Sequence, residues 1–336
     1  MNKLLFYFDI LRCPLMFHAF TIPFTFSIMK KIHRRDDSMA AENVKRGMVC
    51  ATIGALSWGL SGTCGQYLFM HYTIDALLLT NIRMLGAGIV LMILVISLQR
   101  HTLTALLHNR RDMAQLAAFS VLGLVTCQLT YLSAIQYANS GTATVLQSLN
   151  VALMSCIAAI RFRRWPDRWQ MIAIFLALAG VFLIATGGQI QTMVISPQGL
   201  FWGIGAAIGS ILYTVLPHKQ IRKWGTLPVN ALGMLIGGIV LTICLRPWQI
   251  AMNLDTAGIF AIAFIVLIGT VASFTLFLRG VGDIGPVKAT FIGTLEPVSA
   301  TLSSLLFLGT PFLFTDFVGF ACIIATVYLI TMKSQT

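Results

Sequence analysis

The chain of 336 residues is 57% hydrophobic and 10% charged, with a mean hydropathy of +0.84. Water-facing surface cannot be made from so few polar side chains, which excludes a soluble globular domain and makes a lipid bilayer the main solvent. The net charge of +12 does not indicate a nucleic-acid partner either, because the basic residues collect at the ends of apolar runs and form no continuous stripe.

Residues 1–46 read as a cytoplasmic N-terminal extension. Its apolar stretch 4–29 is interrupted by Asp9, Arg12, Pro14, His18 and Pro23, so a loose or interfacial segment is expected rather than a span. An eleventh span there would instead put the N-terminus outside. From residue 47 onward, apolar runs long enough to cross about 30 Å of hydrocarbon recur near 47–69, 75–98, 114–137, 142–160, 169–187, 198–217, 227–245, 256–278, 286–309 and 314–332. Asp75, Ser196-Pro197, Asp255, Gly285-Pro286 and Asp316 supply the chemistry of helix starts.

With these ten spans, 21 of the 23 Lys and Arg residues fall on one side, Arg246 falls on the other, and Arg83 lies within a span. Basic residues are retained on the cytoplasmic side, so both termini are expected there. The expected fold is all-α, with ten transmembrane helices.

Shifting the chain by 146 residues lays Tyr131–Ala152 on Phe277–Val298 and matches Leu132 with Leu278, Ala143 with Ala289, Thr144 with Thr290 and Leu149 with Leu295. The first of these segments crosses an outer loop and the second an inner one. Two five-helix repeats, 47–187 and 198–332, must then face opposite ways, as inverted repeats do in carriers.

Glu296 is the acidic residue expected inside a span, about 15 Å from its inner end at the helical rise. Arg83 reaches a similar depth from the other side. Charge in hydrocarbon is costly and marks a functional candidate. Two readings stand: a permanent Glu296–Arg83 pair that locks two helices, or a Glu296 that titrates or binds a cationic substrate group while Arg83 tunes it. Pro297 removes a backbone donor and is expected to kink the ninth span at that depth.

Further polar candidates recur at membrane depth. The fourth span carries Thr144, Gln147, Ser148 and Ser155 on one stripe, with Asn150, one face over, at the repeat position of Glu296. Gln128 and Tyr131 come from the third span, Ser57, Trp58 and Ser61 from the first, and Tyr213 from the sixth. Each alone is explained by interhelical hydrogen bonding, worth about 0.6 kcal/mol; together they suggest a shared central pocket with aromatic walls. Gly205–Gly209 and Gly233–Gly237 read as close-packing pairs, and Ala300, Thr301 and Ser304 as a smooth surface for sliding. The seven cysteines show no CxxC or metal spacing and read as small apolar residues. No cofactor is expected, and no nucleophile–base motif or P-loop suggests an enzyme.

The segments WGLSG, NIRMLGAG, NSGTATVLQSLN and GPVKATFIGTLEPVSATLSSLLFLG resemble EamA-type members of the drug/metabolite transporter superfamily, over roughly residues 45–333. Val151 departs from the pattern, since such proteins often carry Pro there. The resemblance implies secondary export of a small polar or amphipathic metabolite across the inner membrane; a titrating Glu296 would make protons the coupling ion. A passive channel or facilitator is the alternative.

Overall fold

The computed structural model describes residues 22–161, 168–189, 194–250 and 252–333. The chain divides into Met1–Arg46 and Gly47–Thr336. Among the described residues, every regular element is helical. The first helix, α1 (Ile22–His71), begins well ahead of the expected start at 47. No Gly or Pro lies between Pro23 and Gly47 to stop it.

The next helices are α2 (Ala76–Leu98), the short α3 (Arg100–His108) and α4 (Arg110–Tyr137). The fourth expected span is two helices, α5 (Ser140–Gln147) and α6 (Asn150–Arg161). Then come α7 (Arg168–Thr186), α8 (Pro197–Val215), the short α9 (His218–Trp224), α10 (Thr226–Leu245) and α11 (Thr256–Ile284). The ninth expected span is also split, into α12 (Pro286–Gly293) and α13 (Leu295–Leu308), before α14 (Phe314–Lys333). Among the described residues, six helices are long and apolar enough to cross a membrane: α2, α4, α7, α8, α10 and α11.

The helix starts follow from local chemistry. Asp75 accepts a hydrogen bond from the Leu78 N–H (2.7 Å), Ser196 from Gly199 (3.0 Å) and Asp255 from Gly258 (2.9 Å). Each satisfies a donor that has no partner within the first helical turn. Gly285 (φ 84°) closes α11 in a conformation that disfavours side chains, and Pro286 starts the next helix.

Irregularities recur at the internal spacing. The interruption at Ser148–Leu149 and the one at Thr294 lie 146 residues apart, counting from Ser148. A π-helical turn occupies Ser120–Val125 of α4 and another Phe264–Ala272 of α11; the same shift carries 120–125 onto 266–271. The break in the first half needs no proline, since Val151 stands there.

Pairing of helices follows the repeat as well. Extensive contacts join α2 to α10, α7 to α14 and α4 to α8. The first two join helices at corresponding places in the two repeats. The counterpart of α4 with α8 is α11 with α1, and a methyl on Gly54 of α1 would lie 2.9 Å from the Ser273 carbonyl oxygen of α11. Met84, Leu91 and Val95 of α2 pack with Phe119 and Leu124 of α4 and Met234 and Leu241 of α10. Outward faces remain apolar: Ile93, Phe175, Phe201, Ile243, Phe260 and Phe307 are all exposed, as lipid contact requires.

Candidate functional site at the interrupted helices

Two half-helices, α6 and α13, begin at the interruptions, and Asn150 and Glu296 stand in their first turns. The N-terminal end of a helix carries unsatisfied N–H groups and a partial positive charge, so it favours a carboxylate or an anion nearby. The Glu296 carboxylate is half-buried and has no hydrogen-bond or ion-pair partner among the described residues.

Arg83 is within electrostatic range of Glu296 without pairing to it. Its Nε donates to Thr270 Oγ1 at 2.9 Å, and Nη2 reaches the Gly269 carbonyl at 3.5 Å. Both acceptors belong to the π-helical turn of α11. The wider turn redirects the hydroxyls of Thr270 and Ser273 to carbonyls five residues back, at Ile265 and Ile268. The static Arg83–Glu296 lock considered from sequence is therefore not formed.

Tyr131 of α4 is buried, shares a hydrogen bond with Thr144 of α5 (3.1 Å), and interacts electrostatically with both Glu296 and Arg83. One turn earlier, Cys127 is in range of the same two charges, and Gln147 Nε2 approaches its sulfur at 3.8 Å. Arg83, Tyr131, Thr144, Gln147 and Glu296 thus come together, with Cys127 and Thr270 added. By sequence alone Cys127 reads as a small apolar residue. Asn150 lies beside α8, where Nδ2 donates to Ser210 Oγ (2.7 Å), while its buried Oδ1 has no partner. Ser61 Oγ is also buried and unpartnered, packed against Gly269.

Other expected residues are engaged elsewhere. Trp58 packs on Phe277 (4.8 Å between ring centroids) and Phe274 (6.1 Å). Tyr213 stacks on Phe119 and donates to Asn230 Oδ1 at 3.4 Å, which ties α8 to α10. Ser57 and Gln128 are half-buried and make no hydrogen bond to the cluster. Pro297 is buried in the first turn of α13, where its missing N–H costs nothing. The polar stripe ending at Ser148 does not continue, because the helix breaks there. The side chains of Thr290 and Ser155 lie outside the described residues.

A second polar group, not anticipated, joins α1 to the interrupted helices. Gln66 Oε1 accepts from the Ser140 N–H (2.9 Å) and Ser304 Oγ (2.8 Å), and Nε2 donates to Thr310 Oγ1 (2.8 Å). Thr63 bonds Ser303 at 2.6 Å and Ser140 at 3.2 Å. Ser304, expected to give a smooth surface, is thus bonded in place. Thr63 and Gln66, three apart on one helix face, were the available signal.

The family model for the EamA-like transporter family matches residues 45–186 and again 197–332. An uncharacterized inner membrane transporter of Salmonella typhimurium, YicL, is 36% identical over 293 residues, covering 87% of this chain and 97% of that protein. The uncharacterized transporter YetK of Bacillus subtilis is 25% identical over 274 residues, 78% of this chain and 80% of the relative. A solved crystal structure superposes with a TM-score of 0.53 at 16% identity, covering 89% of this chain and 98% of the other, which supports the fold alone.

Proposed function

The chain belongs to the EamA-like transporter family, and we propose that it is a ten-span secondary carrier in which Glu296 couples protons to export of a small polar or amphipathic metabolite. That it is a multi-pass transporter of the inner membrane rests on the family and on its apolar helices. The observation that carries the finer reading is the Glu296 carboxylate, unpartnered among the described residues, in the first turn of a half-helix, with Arg83 near but bound to Thr270. A carboxylate free of a fixed partner can exchange a proton or meet a cationic group; a locked one cannot.

Ten spans are supported by the split helices. At 1.5 Å per residue, α5 and α6 rise about 12 and 18 Å and α12 and α13 about 12 and 21 Å, so each pair is long enough for one crossing. Discontinuous helices meeting at the repeat interface are where carriers bind substrate. The unpaired Asn150 Oδ1 and Ser61 Oγ are available to a ligand or water there. A buried polar atom left alone costs about 1–3 kcal/mol. The basic residues of α3 and α9 support cytoplasmic termini and inverted repeats 47–187 and 198–332.

A metabolite-panel thermal-shift screen at two pH values would find the ligand, and proteoliposomes would then be loaded with it. Glu296→Gln should lower proton-driven transport by roughly 100-fold, a general acid–base-sized effect, with the folded amount unchanged. Loss of folded protein would instead make Glu296 structural. Counterflow distinguishes the carrier, which shows trans-acceleration, from a channel or facilitator, which does not.

A further inference from the structure

Away from the Glu296 cluster, where the N-terminal end of α4 meets α9, a cavity of about 400 Å³ is lined by Arg111, Asp112, Lys219 and Lys223, together with the amides of Asn109, Gln115 and Gln220. Asp112 is already committed: its carboxylate accepts from Lys223 Nζ (2.5 Å) and from Trp224 Nε1 (3.0 Å). Gln220 is 3% exposed and donates to Gln115 Oε1 at 2.6 Å, which fixes the floor between the two helices. Arg111 and Lys219 have no anionic partner among the described residues. The lining therefore offers two free cations on opposing helices. Asn109 spends its Oδ1 on the Asp112 N–H (3.1 Å), leaving its amide N–H groups as further donors.

Two cations across a small cavity match a phosphate, since opposite charge and hydrogen-bond donors converge on its oxygens. The setting selects the source of that phosphate. Trp224, over which Lys223 Nζ lies at 4.7 Å from the ring, has the amphipathic character of residues at the membrane–water boundary. Leu107, Val215 and Leu216, in the adjoining segments, are exposed apolar side chains. We infer that this cavity binds the phosphate of an anionic phospholipid headgroup through Arg111 and Lys219, with the acyl chains along the neighbouring apolar surface. Basic cavities between membrane helices take lipid headgroups in this way.

Native mass spectrometry of the full chain released from phosphatidylglycerol or phosphatidylcholine nanodiscs tests this directly. The wild type should retain one more phosphatidylglycerol than phosphatidylcholine. The double variant Arg111→Gln/Lys219→Gln should lose that retention by roughly tenfold or more, as expected for two surface cations. Arg111→Lys/Lys219→Arg should restore it. Equal retention of the two lipids by the wild type overturns the proposal even if the double variant fails to fold. Retention unchanged in a folded double variant overturns the site. Inorganic phosphate or glycerol 3-phosphate at millimolar concentration should not raise the melting temperature; a rise as large as that given by phosphatidylglycerol would overturn the lipid assignment in favour of a soluble anion.

Discussion

Opposite charges expected at a shared membrane depth invite a salt bridge, yet Arg83 turns to Thr270 and Gly269, and Glu296 has no partner among the described residues. Residue spacing along α2 and α13 could place both charges near the midplane but could not reveal the competing acceptors, which depend on a π-helical turn in α11. A second carboxylate illustrates the opposite case. Asp255 caps α11 and accepts the Tyr72 hydroxyl; that hydrogen bond, and then the Gly258 N–H, hold its carboxyl below the usual carboxylate range. A depressed folded-state pKa adds stability that is complete above the unfolded value of about 3.9 and is lost as pH falls through the folded value. We therefore expect Tyr72→Phe to melt at a lower temperature than the wild type at pH 7. Melting curves recorded between pH 7 and 3 should show the gap narrowing only below pH 4. A gap constant over that range would mean that Tyr72 acts by packing alone.

At the scale of elements, the second interrupted helix, α13, lies against α1 by close backbone approach. A methyl on Gly59 would meet the Glu296 carbonyl oxygen at 2.5 Å and the Ala300 nitrogen at 2.7 Å, both backbone atoms that cannot swing aside. At Gly65 the same methyl would find only the ends of Leu132 and Leu79, at 3.5 and 3.7 Å. Gly59→Ala should cost about 1–3 kcal/mol, the usual penalty for overpacking, whereas Gly65→Ala should change stability by less than about 0.5 kcal/mol. Denaturation of the two purified variants in one detergent compares them. Equal stability would remove the argument that α1 must touch the start of α13. Pro297 made the second interruption legible, while the first, at Ser148–Leu149, has no proline to announce it. The repeat itself, faint as four identities, is plainer in the positions of the breaks and π-helical turns.

For the whole molecule, the proposed inverted arrangement of the repeats predicts which side each loop faces. Single cysteines at Asn109 and Lys219 should react with an impermeant maleimide only when it reaches the cytoplasmic face, and those at Asp75 and Thr310 only from the opposite face. Labelling of all four from one side would end the two-repeat inversion, because an odd number of crossings separates corresponding positions.

Composition and charge placement were enough to determine a multi-pass membrane protein, because hydrocarbon tolerates apolar runs and basic residues keep to one side. The segments carrying the resemblance, including the one around Glu296, pointed to the EamA-like transporter family, now matched over both repeats. Tertiary structure decided which polar residues meet. Trp58 and Tyr213 turned to aromatic neighbours, Arg83 to Thr270, and Cys127 and Gln66 joined polar contacts that were not foreseen. Helical periodicity specifies a face, but the partner on that face comes from helices distant in the chain and from turns whose irregular hydrogen bonding depends on their packing.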